Sequence, residues 1–348
     1  MKFKKITVCF DMAGCPNRCK HCWLGAEPNR SRPAEDLLYI ANAFRPFTQS
    51  LEIASWYREP DFRDDYKELW NIECSLSDEK LPHFELASFW RLTRDTDYAG
   101  WLSSLGVRAC QLTLFGSETV TDYYVGRKGA FEEILESVDI LLNHNIAPRI
   151  QVFVNRNNLD ELHYIESLID RLDFDKRCQA IGQDFNLFIH QGSCEGENEK
   201  LYDIRVTGRE LDQIPKSLTD RTLKYFNCSS LYDIFGKPED VLYAELLLDN
   251  TVKSIQSDTP VFYINGDYNV FPNASQPAAW WCLGNLKSGS AEQIIKNYQY
   301  DYSTAQKNIS TIPLSQMVRR CGNPNSQRLF TKGDYITYIQ NQFCKLQL

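Results

Sequence analysis

Cys15, Cys19 and Cys22 stand within eight residues at spacing C-x3-C-x2-C, and three soft ligands that close together make a metal site. An iron-sulfur cube normally takes four thiolates, so three from one loop leave one iron open to a non-protein ligand. Two other readings of the same residues exist. Cys19, His21 and Cys22 could converge on a tetrahedral zinc ion, although zinc motifs usually arrive as two separated ligand pairs and no second tight pair follows. The thiols could also be ordinary core cysteines, but Pro16, Asn17, Arg18 and Lys20 between them are loop residues.

Composition bounds the rest. A chain of 348 residues with 43% hydrophobic content buries a full core as one large domain or a domain with a sizeable extension. No apolar run has the length of a membrane span or signal peptide, so a cytoplasmic protein without membrane contact is expected. Its 12 cysteines are too few for a disulfide scaffold of this length, which fits a reducing compartment. A net charge of -8 argues against an extended nucleic-acid surface, which needs a basic stripe.

The elements that must hold the cysteine loop follow a strand-helix alternation. Lys5 to Phe10 reads as a buried strand with the loop directly after it, and Pro33 to Phe47 as the helix of the first unit. Leu51 to Tyr57 and Asp65 to Ile72 form the second unit. The pattern predicts a strand over Phe84 to Leu92 and a helix over Asp95 to Leu105, ended by Gly106. The fourth unit is Ala109 to Phe115 with the amphipathic helix Phe131 to Asn143. Arg149 to Val154 with Leu159 to Leu172, and Phe185 to His190 with a helical stretch around Glu210 to Leu218, make six. Six such units predict an α/β fold, a partial (βα)6 TIM-like barrel, with ligand chemistry at the C-terminal strand ends. The cysteine loop lies at one of those ends.

The cysteine spacing, with aromatic-type His21 before the third thiol, resembles the cluster motif of the radical S-adenosylmethionine (SAM) enzymes, whose fold is a barrel of this kind. The resemblance covers about residues 5 to 218, giving an expected division into a core over 1–218 and a C-terminal α+β extension over 219–348. It implies a [4Fe-4S] cluster on Cys15, Cys19 and Cys22, with SAM on the open iron and a 5'-deoxyadenosyl radical taking hydrogen from an unactivated substrate carbon. It also implies an external one-electron donor such as flavodoxin or ferredoxin.

Residue by residue, Tyr57-Arg58-Glu59-Pro60 matches the family's Gly-Gly-Glu-Pro, so Glu59 takes the SAM amino group, but Tyr57 and Arg58 replace both glycines. Gln111 to Gly116 resembles Ile-Ser-Leu-Asp-Gly, placing the Thr113 hydroxyl at the SAM ribose. Asp122 to Gly129 resembles a stretch whose arginine, here Arg127, holds the SAM carboxylate. His21 joins them as a cofactor contact. The plain alternatives are a strand-to-helix turn at Glu59, a strand former at Thr113 and a solvated charge at Arg127. Gln151, Asn155, His190 and Gln191, near the expected barrel mouth, are candidate substrate contacts.

Phe262 to Pro272 reads as a hairpin, followed by Leu283-Gly284-Asn285-Leu286 and a helix over Ala291 to Tyr298. This resembles the SPASM and twitch extensions, which usually bind auxiliary clusters. Asn273 stands where those families place a cysteine, and Cys282 and Cys321 are isolated, so the extension is expected to cap the pocket without a cluster of its own. The substrate expected is a small natural-product or sugar-like molecule, because the chain starts at the first barrel strand without room for a peptide-recognition domain. A peptide is the runner-up, and a non-catalytic iron-sulfur or zinc protein is the alternative from another class.

Overall fold

The computed structural model describes residues 2–55, 58–79, 88–272 and 277–347. β1 (Phe3–Phe10) leads into the cysteine loop, and α1 (Glu35–Phe44) returns the chain to β2 (Thr48–Ala54). β1 and β2 pair in parallel, from Phe3 opposite Thr48 to Cys9 opposite Ala54. The crossover helix buries Leu37, Ile40, Ala41 and Phe44, which share one face at helical spacing, against this sheet. After α2 (Tyr66–Leu76) come two short helices, α3 (Phe89–Leu92) and α4 (Tyr98–Ser104).

A second parallel sheet holds β3 (Ala109–Leu114), β4 (Ala147–Phe153) and β5 (Asn186–His190) in that order. Its crossovers are α5 (Glu118–Val125) with α6 (Ala130–Asn143), then α7 (Leu162–Arg171) with α8 (Phe174–Ala180). α6 buries Ile134, Val138, Leu141 and Leu142 in the main core. β3 alternates half-buried and buried residues, so Cys110, Leu112 and Leu114 enter that core while Gln111 and Thr113 face the opposite side.

Beyond β5 lie α9 (Gly208–Leu211), α10 (Lys216–Phe226), α11 (Leu231–Phe235), β6 (Lys237–Pro238) and α12 (Glu239–Leu246). The hairpin follows as β7 (Val261–Ile264) and β8 (Asn269–Pro272), then β9 (Gly284–Asn285). The chain ends through α13 (Ala291–Gln299), α14 (Thr304–Thr311), α15 (Leu314–Cys321), β10 (Leu329–Phe330) and α16 (Lys332–Lys345). Among the described residues no helix is long and apolar enough to cross a membrane.

The α/β class with parallel strands and external helices is as expected. Among the described residues, five of the six expected barrel strands are present, divided between two sheets. Residues 84–87 of the expected third strand lie outside the described residues, and 89–92 are helical. There the Ser88 hydroxyl accepts the Arg91 amide N–H as an N-cap, and the Arg91 guanidinium is drawn inward to the Asp61 carbonyl at 2.7 Å. The helix expected around 210–218 is divided into α9 and α10, with Pro215 capping the second. The hairpin extends the first sheet. β7 pairs in parallel with the free edge of β1, Thr7 opposite Val261 through Phe10 opposite Ile264, so the sheet begun by β1 continues into the C-terminal part.

Candidate active site

The cysteine loop is clamped from two sides. On one, buried Asp11 accepts the Gly14 amide N–H at 2.9 Å and pairs with Arg58 at 2.8 Å. Arg58 donates further to the carbonyls of Glu27 and Pro28 and to Asn29 Oδ1. Asn29 and Cys15 exchange two hydrogen bonds: the Cys15 amide donates to Asn29 Oδ1, and Asn29 Nδ2 donates to the Cys15 carbonyl. Arg58, in the position of a family glycine, thus folds back to tie both ends of the loop. On the other side, the amides of Arg18 and Lys20 donate to the carbonyls of Val125 and Tyr124, satisfying acceptors that the end of α5 leaves open. Gly126 allows this approach. Its φ is +75°, and a Cβ there would lie 2.7 Å from the Arg18 carbonyl oxygen.

Cys15, Cys19 and Cys22 line one cavity of about 290 Å³, together with His21, Glu59, Gln111, Thr113 and Gln151. Burial and the Glu59 carboxylate push the Cys15 and Cys19 thiols well above their ordinary pKa, and burial raises that of Cys22. Left to themselves, the three are neutral thiols at pH 7; a bound metal is what stabilises several thiolates in one place. Two sulfurs already accept backbone N–H groups, Cys15 from Asn17 at 3.4 Å and Cys22 from Leu24 at 3.3 Å. Such bonds suit cluster sulfurs and tune their potential, so the donor set fits an iron-sulfur cluster. Among the described residues no three His, Cys, Asp or Glu side chains are arranged to hold a single metal ion.

His21 is half-buried, with its ring against Phe115 and Phe153, centroids 5.1 and 5.0 Å away. Desolvation, and secondarily His190, hold its pKa down to about 4, and its Nδ1 has no partner. Glu59 accepts the Ser88 hydroxyl at 2.9 Å, and burial raises its pKa. Asp61, pushed up to about 7 by burial and by Glu59, accepts the Ser88 amide at 3.0 Å and the Tyr98 hydroxyl.

On the inner face of the second sheet, Gln151 Oε1 accepts from Gln111 at 2.7 Å and more weakly from Thr113 at 3.4 Å. The register explains this, since Thr113 lies directly opposite Gln151. Gln151 Nε2 lies 3.5 Å from His190 Nδ1 on the next strand. Arg127 sits differently from expectation. Both terminal nitrogens are taken by Glu133 and its Nε donates to Asn17 at 2.9 Å, so it reaches the cavity through Asn17. Asn155 belongs to a buried turn, where it accepts the Tyr124 hydroxyl at 3.0 Å. His190 and Gln191 line a separate cavity. Sequence reasoning missed Asp11, Asp61 and Gln111. Only Gln111 carried a signal, being two residues from Thr113 on the same strand face.

The radical SAM superfamily profile matches residues 10–167, from the end of β1 through the cysteine loop and into α7. The chain therefore carries a radical SAM domain over those residues. It is an enzyme whose cofactors are a [4Fe-4S] cluster and SAM. No curated protein matches it in sequence. Among solved structures it is similar to native anSMEcpe with bound AdoMet, at 14% identity and TM-score 0.50, covering 98% of this chain and 96% of that one. The same protein with AdoMet and the Cp18Cys peptide gives 15% identity and TM-score 0.51 over the same shares. At these identities the likeness is one of fold.

Proposed function

We propose that Cys15, Cys19 and Cys22 bind three irons of the cluster and that SAM occupies the cavity beside them. The enzyme then takes hydrogen from an unactivated carbon of a small natural-product or sugar-like substrate. One observation carries this reading: the three thiols open onto the same cavity as Glu59, Thr113 and Gln151, which come from three different strand ends. When bound, the cluster and SAM supply a carbon-centred radical after one electron arrives from an external donor.

The protein's own part is binding, orientation and exclusion of water. Glu59 is a half-buried carboxylate whose charged form gains from an ammonium group, so it receives the SAM amino group, with Ser88 fixing its rotamer. Thr113, Gln111 and Gln151 offer hydroxyl and amide groups for the ribose. Neutral His21, packed on Phe115 and Phe153, walls the adenosyl side. Arg127 is a positioning residue that holds Asn17 in place. Phe89, Phe115, Val125 and Leu24 line the cavity with apolar surface, which keeps a reactive species from water.

Residues 219–348 serve as a cap. Leu24 of the cysteine loop is buried among Tyr263, Phe271, Ala278 and Trp281. Asn273 lies outside the described residues; the Cys282 thiol donates to the Gly284 carbonyl, and Cys344 accepts from Asn308.

The test is anaerobic reconstitution of the wild type and of the triple variant Cys15→Ala, Cys19→Ala, Cys22→Ala. The wild type should hold about four irons per chain and bind SAM, and the variant neither. Stoichiometric zinc in the wild type, or a cluster that binds no SAM, would reject the reading in favour of a structural metal or electron-transfer protein.

A further inference from the structure

A second cavity, of about 340 Å³, opens beyond the end of β5, with His190, Gln191, Ser193, Arg205, Thr331 and Thr337 on its wall. It adjoins the first. Gln151, which lines the cysteine cavity, lies 3.5 Å from His190, which lines this one. That pair of side chains joins the two linings.

The wall has a definite polarity. Gln191 is 5% exposed; its amide nitrogen donates to the Leu329 carbonyl at 2.9 Å, which leaves Oε1 buried without a partner. Few native side chains leave such an acceptor unsatisfied without reason. His190 Nδ1 accepts the Gly192 amide N–H at 3.0 Å. Burial, and secondarily Arg205, hold its pKa down to about 4, so the neutral ring carries its proton on Nε2 and can donate. Ser193 and Thr337 add hydroxyls that both donate and accept, and Thr331, whose oxygen accepts the Asp334 amide N–H at 3.2 Å, adds a donor.

The cation on this wall is already taken. Arg205 pairs with Asp334 at 3.0 Å and donates to the carbonyls of Leu329 and Gly192. Glu195, also on the wall, accepts from Asn341 at 3.3 Å. An anionic ligand would meet acceptors and a carboxylate but no uncommitted guanidinium.

We infer that this cavity binds the substrate, and that the part of the substrate it holds is a neutral polyol, rich in hydroxyls and free of phosphate or carboxylate. The volume is at the small end of ligand pockets, enough for a molecule of about one or two sugar rings. A hydroxyl donates to Gln191 Oε1, another accepts from His190 Nε2, and the serine and threonine hydroxyls extend the network. The inference rests on the reading that the first cavity holds SAM, because the substrate must lie beside it.

Saturation-transfer NMR on the anaerobically reconstituted protein with SAM tests it, using glucose and myo-inositol as neutral probes. Glucose 6-phosphate, inositol 1-phosphate and N-acetylglycine amide are the comparisons. The neutral polyols should give transfer, at least several-fold stronger than their phosphates. Gln191→Leu should abolish it and Thr337→Val should weaken it several-fold, both with iron content and SAM affinity unchanged. Stronger binding of the phosphates, binding of the blocked amide alone, no binding by any probe, or wild-type binding in both variants would each overturn the inference. Polyol binding at this cavity in a protein that fails to bind SAM would instead overturn the proposed function and leave the polyol site standing.

Discussion

Arg58 is the residue whose chemistry departs furthest from the family pattern, and the structure gives it a task. Its pair with Asp11 is almost wholly buried, 4% and 1% exposed, so Arg58→Ala leaves a carboxylate uncompensated and frees Asn29 and the loop carbonyls. The expected loss is about 3 kcal/mol, as for a broken buried pair, read as a lower urea midpoint of the apo chain. Arg127 calls for a different expectation. Because its terminal nitrogens hold Glu133 and its Nε holds Asn17, Arg127→Ala should lower cluster loading and weaken SAM binding only indirectly. Arg127→Lys, which keeps the charge but loses the fork, should recover little. Glu59→Gln should cost SAM binding about 1.5 to 3 kcal/mol, the worth of a hydrogen bond to a charged group, and Thr113→Val about 0.5 to 1.5 kcal/mol. Isothermal titration with the cluster intact separates the three, and equal losses for Glu59→Gln and Thr113→Val would contradict the assigned roles.

At the scale of elements, the α5 terminus is the support most open to attack. Gly126→Ala forces a Cβ into a left-handed backbone and against the Arg18 carbonyl, at a cost of about 1 to 3 kcal/mol. Because the clash falls on the cysteine loop, iron content after reconstitution should drop along with the melting temperature. The end of β5 carries a pH signature. His190 is held neutral with a pKa near 4, against an ordinary value near 6.5, so the unfolded chain binds the proton first as pH falls. Its contribution is fully present above about pH 6.5 and is lost progressively toward pH 4, by at most about 3 kcal/mol. His190→Asn keeps an acceptor for the Gly192 amide and should flatten urea stability across that range.

The strands were legible where composition was extreme. β1 and the β3–β4–β5 sheet carry apolar runs or alternation, and α6 has a long inward stripe. α5 carries no such signal, because Glu118 to Val125 is short and polar, and α3 reads as a strand because periodicity cannot separate short apolar runs. That the three cysteines, Glu59 and Thr113 share one cavity is in keeping with the local motifs that single them out. The Arg58 clamp and the Arg127–Glu133 pair were not legible, because each depends on partners that only the folded chain brings into reach.

Over the whole molecule, the C-terminal part is bound to the barrel through the edge of β1 as well as through the cysteine loop. A chain ended at residue 250 removes β7 from β1 and uncovers Val8 and Phe10, which share a core with Phe262 and Ile264. It should therefore aggregate through an open strand edge, seen as a void-volume species in size exclusion. A monomeric, cluster-loaded fragment would show that the barrel stands alone.

If one cavity joins a three-thiolate cluster to SAM, electron paramagnetic resonance of the dithionite-reduced protein will register it at the open iron. The expected result is a [4Fe-4S]+ signal whose g-values change when SAM is added, because the iron without a protein thiolate gains a ligand. A reduced cluster whose spectrum is the same with and without saturating SAM would contradict it.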